Sequence, residues 1–146
     1  MMTTSDNSFV SILHLLHRAG QCADEIFADS IGEGSLTPRQ YEVLNAVNSS
    51  EEPSQTLLVE QTGIDRSTLA DIVRRLVERG LLERRRTRQD ARMYAVNLTA
   101  EGKAILKTAE PAVKTVNERL LADLTNGERD AVMSALSRII ATASTK

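Results

Sequence analysis

The chain has 146 residues, with 18 Lys+Arg against 20 Asp+Glu for a formal net charge of −2, and is 41% hydrophobic and 26% charged, a balance normal for a soluble globular protein. One cysteine excludes an internal disulfide and any Cys-rich metal module, and two histidines, His14 and His17, are too few for a multi-His metal centre. No apolar run approaches the roughly 18 residues of a membrane span, no basic-then-apolar leader opens the chain, and the lack of Trp argues against an aromatic platform for single strands, so a cytoplasmic protein without membrane contact is expected.

Residues 1–7 are polar and are expected to fray. From Phe9 to about Phe27 apolar residues recur at helical spacing, and the glycines of 31–35 end that helix. A dense start signal follows. Thr37 is an N-cap, Pro38 the first helical position, Gln40 the partner in a capping box, and Leu36 with Tyr41 a hydrophobic staple. That helix runs to about Val47. A short helix, Leu57–Thr62, is predicted with Thr56 as its cap and Gly63 as its stop. Asp65 then caps an amphipathic helix, Arg66–Arg79, whose apolar side is Leu69, Ile72, Val73 and Leu76, with Gly80 at its end. Two helices joined through one glycine form a helix-turn-helix pattern.

Leu81–Arg86 and Ala91–Leu98 read as strands joined by a polar tip at 87–90, with Tyr94, Val96 and Leu98 on one face. A helix-turn-helix followed by such a hairpin is a winged helix. Thr99 caps a long helix to about Leu121, in which Pro111 should make a slight kink, and the capping box Thr125–Glu128 opens a last helix. The fold class is therefore mainly α with a small β-hairpin wing and about six helices. The winged helix-turn-helix lobe spans 36–98. Segments 8–31 and 99–144 carry broad apolar stripes beyond what that lobe needs, and their simplest use is a helical dimerisation domain.

Charge is unevenly placed. The window from Arg66 to Arg92 holds nine arginines and four carboxylates, a net +5, whereas the other 119 residues carry −7. Half of the positive charge thus lies in under a fifth of the chain, all of it arginine. A solvated charged face is the ordinary fate of such a run. Because acids are plentiful elsewhere and sparse here, the footprint of a double-stranded DNA binder explains it better. Recognition helices reach bases with their N-terminal residues, so Arg66, Ser67 and Thr68 are assigned to base edges or nearby phosphates, and Arg74 and Arg75 to the backbone. Ser67 and Thr68 would alternatively serve only as capping residues. Arg84, Arg85, Arg86 and Arg88 should divide between phosphate contacts and solvated charge, with Arg86 and Arg88 assigned to DNA. Asp90 is expected to shape the wing by bonding nearby arginine or backbone groups.

The order of elements, together with 36–44, Gly63–Leu69, Val73–Leu82, the Asp90-x-Arg92 wing and Leu98-Thr99-x-Glu101-Gly102, resembles the MarR family of bacterial transcription regulators over nearly the whole chain. The resemblance implies a homodimer, usually a repressor, with Arg92 entering the minor groove. It also implies a small-molecule effector, often a phenol or aromatic acid, held between the DNA-binding lobe and the dimerisation helices. His14, His17, Arg18 and Cys22 share or adjoin one face of the first helix and would anchor an aromatic or heteroaromatic carboxylate, with Tyr41 added from the second helix. The polar edge of a dimerisation helix would account for the same residues. Redox sensing through Cys22 is a separate possibility implied by some relatives. However, Cys22 lies several residues later than the cysteine of the peroxide-sensing branch, and Asp24 and Glu25 nearby would disfavour the thiolate. No Gly-rich phosphate loop, nucleophile elbow or metal-ligand cluster suggests an enzyme, and no cofactor is implied. A winged helix used only for protein contacts is the remaining alternative, against which the arginine window stands.

Overall fold

The computed structural model describes residues 11–32 and 35–144; the polar opening 1–7, the expected helix start at Phe9 and Gly34 lie outside the described residues. Six helices and one antiparallel hairpin follow in the order α1 (Ile12–Ile31), α2 (Pro38–Asn48), α3 (Gln55–Thr62), α4 (Arg66–Glu78), β1 (Leu82–Arg86), β2 (Tyr94–Leu98), α5 (Ala100–Leu120) and α6 (Asn126–Ala143).

Local signals set most of the boundaries. The Thr37 hydroxyl accepts the Gln40 N–H while the Gln40 side chain accepts the Thr37 N–H, and Thr125 with Glu128 repeats the arrangement at α6. Gly63 ends α3 in the left-handed region at φ 74°, which a residue with a Cβ adopts only at a cost, and this lets α4 leave at a new angle. α1 ends at Ile31, just before Gly32, where the glycines of 31–35 lead it to stop. Two boundaries differ from the sequence reading. α3 begins earlier, with Ser54 rather than Thr56 as its cap, since the Ser54 hydroxyl accepts the Leu57 N–H at 3.1 Å. The hairpin tip is longer than 87–90, because the Asp90 carbonyl accepts the Met93 N–H and Thr87 N–H bonds to the Met93 carbonyl, folding 91–93 into a turn.

The core is a continuous cluster. Leu36, Val43, Leu44, Val47, Leu58, Leu69, Ile72, Val73, Leu76, Leu81, Leu82 and Val96 pack with Leu106 and Ala109 of α5. The winged-helix lobe and the first half of α5 therefore share one interior. The alternation expected along β2 is not kept. Tyr94 is exposed, while the neighbours Ala95 and Val96 are both buried. The middle of this strand packs against α2 and α5, so Ala95 and Val96, on opposite faces, are both covered, and Val96 N–H also reaches the Pro53 carbonyl at 2.9 Å. Tyr94, at the tip end, is not covered. α5 passes through Pro111 without ending, and α6 buries none of its residues. No helix among the described residues is long and apolar enough to cross a membrane.

Candidate nucleic-acid interface

The inward row of α4 (Leu69, Ile72, Val73, Leu76) is buried, so geometry leaves Ser67, Asp71, Arg74 and Glu78 along the opposite, outward line. Arg66 and Ser67 at the helix start are exposed. Thr68 is otherwise engaged. Its N–H donates to Asp65 Oδ1 at 2.8 Å and its hydroxyl to Asp65 Oδ2 at 3.0 Å, so it completes the cap. Asp71, in the middle of the outward line, holds both arginines that follow it. Arg74 Nη2 bonds one carboxylate oxygen, Arg75 Nε lies 2.9 Å from the other, and Arg74 Nη1 reaches Glu78 at 3.0 Å. The sequence analysis did not single out Asp71; its spacing of three and four residues from the arginines was the available signal.

The rest of the arginine window divides by partner. Arg79, at the C-cap of α4, donates to the Ser35 carbonyl at 3.0 Å and Gln40 Oε1 at 3.4 Å, tying α4 to the start of α2. Arg85 pairs with Glu83 at 2.7 Å. Arg86 stacks its guanidinium 5.4 Å from the Tyr94 ring centre and donates to the Ala91 carbonyl, which braces the hairpin from within. Arg88 stands at the tip with its side chain almost fully exposed. Arg92 is equally exposed. Its N–H and Nε both donate to Asp90 Oδ1, at 3.0 and 3.2 Å, so Asp90 sets the direction in which Arg92 leaves the wing. Together, the outward line of α4 and the wing form an arginine-rich surface with a protruding cation at its edge.

Three carboxylates of this surface are held below their ordinary range. For Asp65 the largest cause is the Thr68 hydroxyl, followed by the Thr68 N–H; for Asp71 it is the bond from Arg74; for Asp90 it is the Arg92 N–H. Each depressed value favours folding while the group is ionised. That contribution is present above the ordinary pKa of 3.8 and is lost as pH falls through the lower folded value. The urea midpoint should therefore stay level from about pH 7 to 5 and drop below about pH 4. Asp65→Asn keeps a good N-cap but cannot titrate, so its acid drop should be shallower. An identical drop in both proteins would contradict this role for Asp65.

The residues assigned to an effector are only partly gathered. On α1, His14 and Cys22 are half-buried while His17 and Arg18 are exposed, and Arg18 donates to Gln21 at 2.6 Å. Tyr41 packs instead near the far end of α1, its ring 5.6 Å from that of Phe27. Ten helical residues separate Phe27 from His17, roughly 15 Å along the axis, so one chain does not bring Tyr41 to the two histidines. Burial, and then the charges of Glu42 and Glu110, raise the Tyr41 pKa. A cavity of about 330 Å³ lies beside the turn into α4, lined by Arg39, Glu42, Thr62, Gly63, Ile64 and Asp65, and an open groove follows Ala135, Ile139 and Ala143 on α6. None of the five assigned residues lines either. Among the described residues, no three His, Cys, Asp or Glu side chains come together as a metal site.

Known proteins share this arrangement. The family model described as MarR family matches residues 35–93, from the start of α2 through the wing tip. The HTH-type transcriptional repressor NicR of Pseudomonas putida is 32% identical over 127 residues, covering 87% of this chain and 80% of that protein. The solved structure of BpsR from Bordetella bronchiseptica, whose DNA binding is regulated by 6-hydroxynicotinic acid, superposes with a TM-score of 0.84 at 29% identity, over 91% of this chain and 95% of that one. The repressor CouR bound to a 23-mer DNA duplex superposes with a TM-score of 0.81 at 29% identity, covering 95% and 98%. With a family model matching 35–93, a repressor 32% identical over most of both chains and superpositions that span nearly the whole chain, the chain belongs to the MarR family of winged-helix transcription regulators.

Proposed function

We propose that this chain is a cytoplasmic, non-catalytic repressor that binds a pseudo-palindromic operator in double-stranded DNA as a homodimer and is released by a small aromatic or heteroaromatic acid. The observation that carries the reading is the arginine-rich surface made by α4 and the wing. Arg66 and Ser67 would meet base edges or nearby phosphates, Thr68 would support them through the cap, Arg74, Arg75, Arg86 and Arg88 would meet phosphates, and Arg92 would enter the minor groove. The dimer is supported by the apolar side chains left bare at the two ends of the chain: Ile12, Leu13, Leu15 and Leu16 on α1, and Met133, Ile139 and Ile140 on α6. In this reading the 8–31 and 99–144 segments form the dimerisation domain, and the 36–98 lobe hangs from it. A two-fold dimer sets its recognition helices about one DNA turn apart.

The effector assignment draws on BpsR and on the α1 residues. His14, His17 and Arg18 offer imidazole and guanidinium donors suited to a ring carboxylate. They lie on the end of α1 that carries the bare apolar residues, so a second copy packed there would enclose them. Cys22 would belong to the inner wall, whereas Tyr41, set against Phe27 at the other end of α1, would not reach the same acid. Release requires the acid to prefer the conformation that cannot span both half-sites, since equal affinity for both states shifts nothing.

The test is fluorescence anisotropy with the duplex upstream of the protein's own gene and a scrambled duplex, across a salt series, with and without 6-hydroxynicotinate and benzoate. Salt-dependent binding that prefers the upstream duplex by about a thousandfold and is reversed by one of the acids is expected. Arg18→Ala should blunt the release without weakening binding. Failure to bind either duplex at low salt would reject the reading in favour of a protein-contact module.

A further inference from the structure

The wing tip is closed mainly by its own bonds: Thr87 to Met93, Asp90 to Thr87, Arg86 to Ala91 and Arg92 to Asp90. A different contact reaches it from the connection between α2 and α3. The backbone N–H of Arg88 donates to the two carboxylate oxygens of Glu52, at 3.2 and 3.4 Å, and Arg88 Nε lies 3.9 Å from Oε1. These residues are 36 apart in sequence.

The neighbouring residue acts on the same hairpin. Pro53 is buried, and its carbonyl accepts the Val96 N–H at 2.9 Å. Consecutive residues therefore hold the hairpin in mid-strand and at its tip. Glu52 does so with a strained backbone. Its φ is +44°, the one positive value at a non-glycine among the described residues. Glycine would occupy that conformation more easily, so backbone geometry alone does not call for a glutamate. The side chain supplies the reason. A left-handed residue here turns its carboxylate to the wing tip while Pro53 stays in the core.

We infer that Glu52 is a positioning residue for DNA recognition. It fixes the stance of the wing relative to α4, so that Arg88 and Arg92 approach DNA in register with the recognition helix. The inference rests on the reading of α4 and the wing as the DNA surface. A wing held in place loses less freedom on binding, and the advantage falls on the operator, where wing and helix must engage together.

Two variants separate the tether from charge. Glu52→Gly and Glu52→Gln remove the same negative charge. The glycine variant also removes the acceptor and relieves the backbone, whereas glutamine keeps one oxygen for the Arg88 N–H. In the full-length protein, Glu52→Gly should hold or raise the urea midpoint, which shows that it folds. Its Arg88 amide, followed by NMR, should exchange with solvent about tenfold faster than in Glu52→Gln. Its affinity for the upstream duplex should be about fivefold weaker than that of Glu52→Gln, while the two bind the scrambled duplex alike. Equal upstream affinity in the two variants, or equal exchange at Arg88, overturns the inference. Absence of binding by the wild-type protein is read before the variants are compared, and would overturn the regulator reading and this inference together.

Discussion

Replacing Gly102 with alanine is expected to destabilise the protein by about 3 kcal/mol or more, lowering its melting temperature by about 10 °C or preventing folding. Gly102 is buried at the start of α5. A methyl group built there overlaps the Leu81 carbonyl oxygen and comes within 3.1 Å of Leu98 Cδ2. The obstacle is backbone and cannot rotate away. That same carbonyl accepts the Thr99 N–H at 3.1 Å, while the Thr99 hydroxyl donates to the Gly80 carbonyl at 2.6 Å and accepts the Gly102 N–H at 3.0 Å. Moving α5 outward to admit the methyl would therefore break the cap of α5 and loosen its seat on β1. Because Leu106 and Ala109 belong to the same core as the helix-turn-helix, the loss should appear as one cooperative transition. Circular dichroism with thermal and urea unfolding checks this. A melting point within about 2 °C of wild type would show that the joint between α5 and the wing base yields easily.

Arg92→Ala should weaken operator binding about tenfold to a hundredfold, roughly 1–3 kcal/mol, with the dimer intact. The side chain projects from the wing, is anchored at its root by Asp90 and packs against nothing in the core. Its removal should therefore leave the urea midpoint unchanged. Each dimer has two wings, so if Arg92 neutralises a phosphate in each, the slope of log affinity against log salt should become shallower by about 1.8. Arg92→Lys keeps the charge but not the planar fork, so it should restore the slope more fully than the affinity. Analytical ultracentrifugation alongside the anisotropy series separates loss of contact from loss of the dimer. A variant that dissociates would place Arg92 at the dimer contact and remove it from the DNA surface.

Much of the interface was legible in the sequence because its determinants are local. The Thr37–Gln40 and Thr125–Glu128 boxes, the left-handed Gly63, and the Asp65 cap all act within one helical turn, where spacing and residue type suffice. The apolar row of α4 likewise fixed its inward face, and hence the outward line on which Ser67 and Arg74 stand. The family resemblance followed from the order of these same elements.

What the tertiary structure decided concerns pairs distant in sequence. Arg79 looked like one more arginine of a DNA-facing window, yet it is committed to Ser35, 44 residues earlier. Arg88 gains its tether from Glu52, and Gly102 owes its lack of a side chain to Leu81. Tyr41 is set against Phe27 rather than beside His14 and His17. Along β2, burial follows what lies above and below the strand, not its own alternation. Periodicity reports which face of an element is apolar. Which neighbour meets that face, and which charges end up paired there, depends on how the elements pack, and only the packed structure contains those contacts.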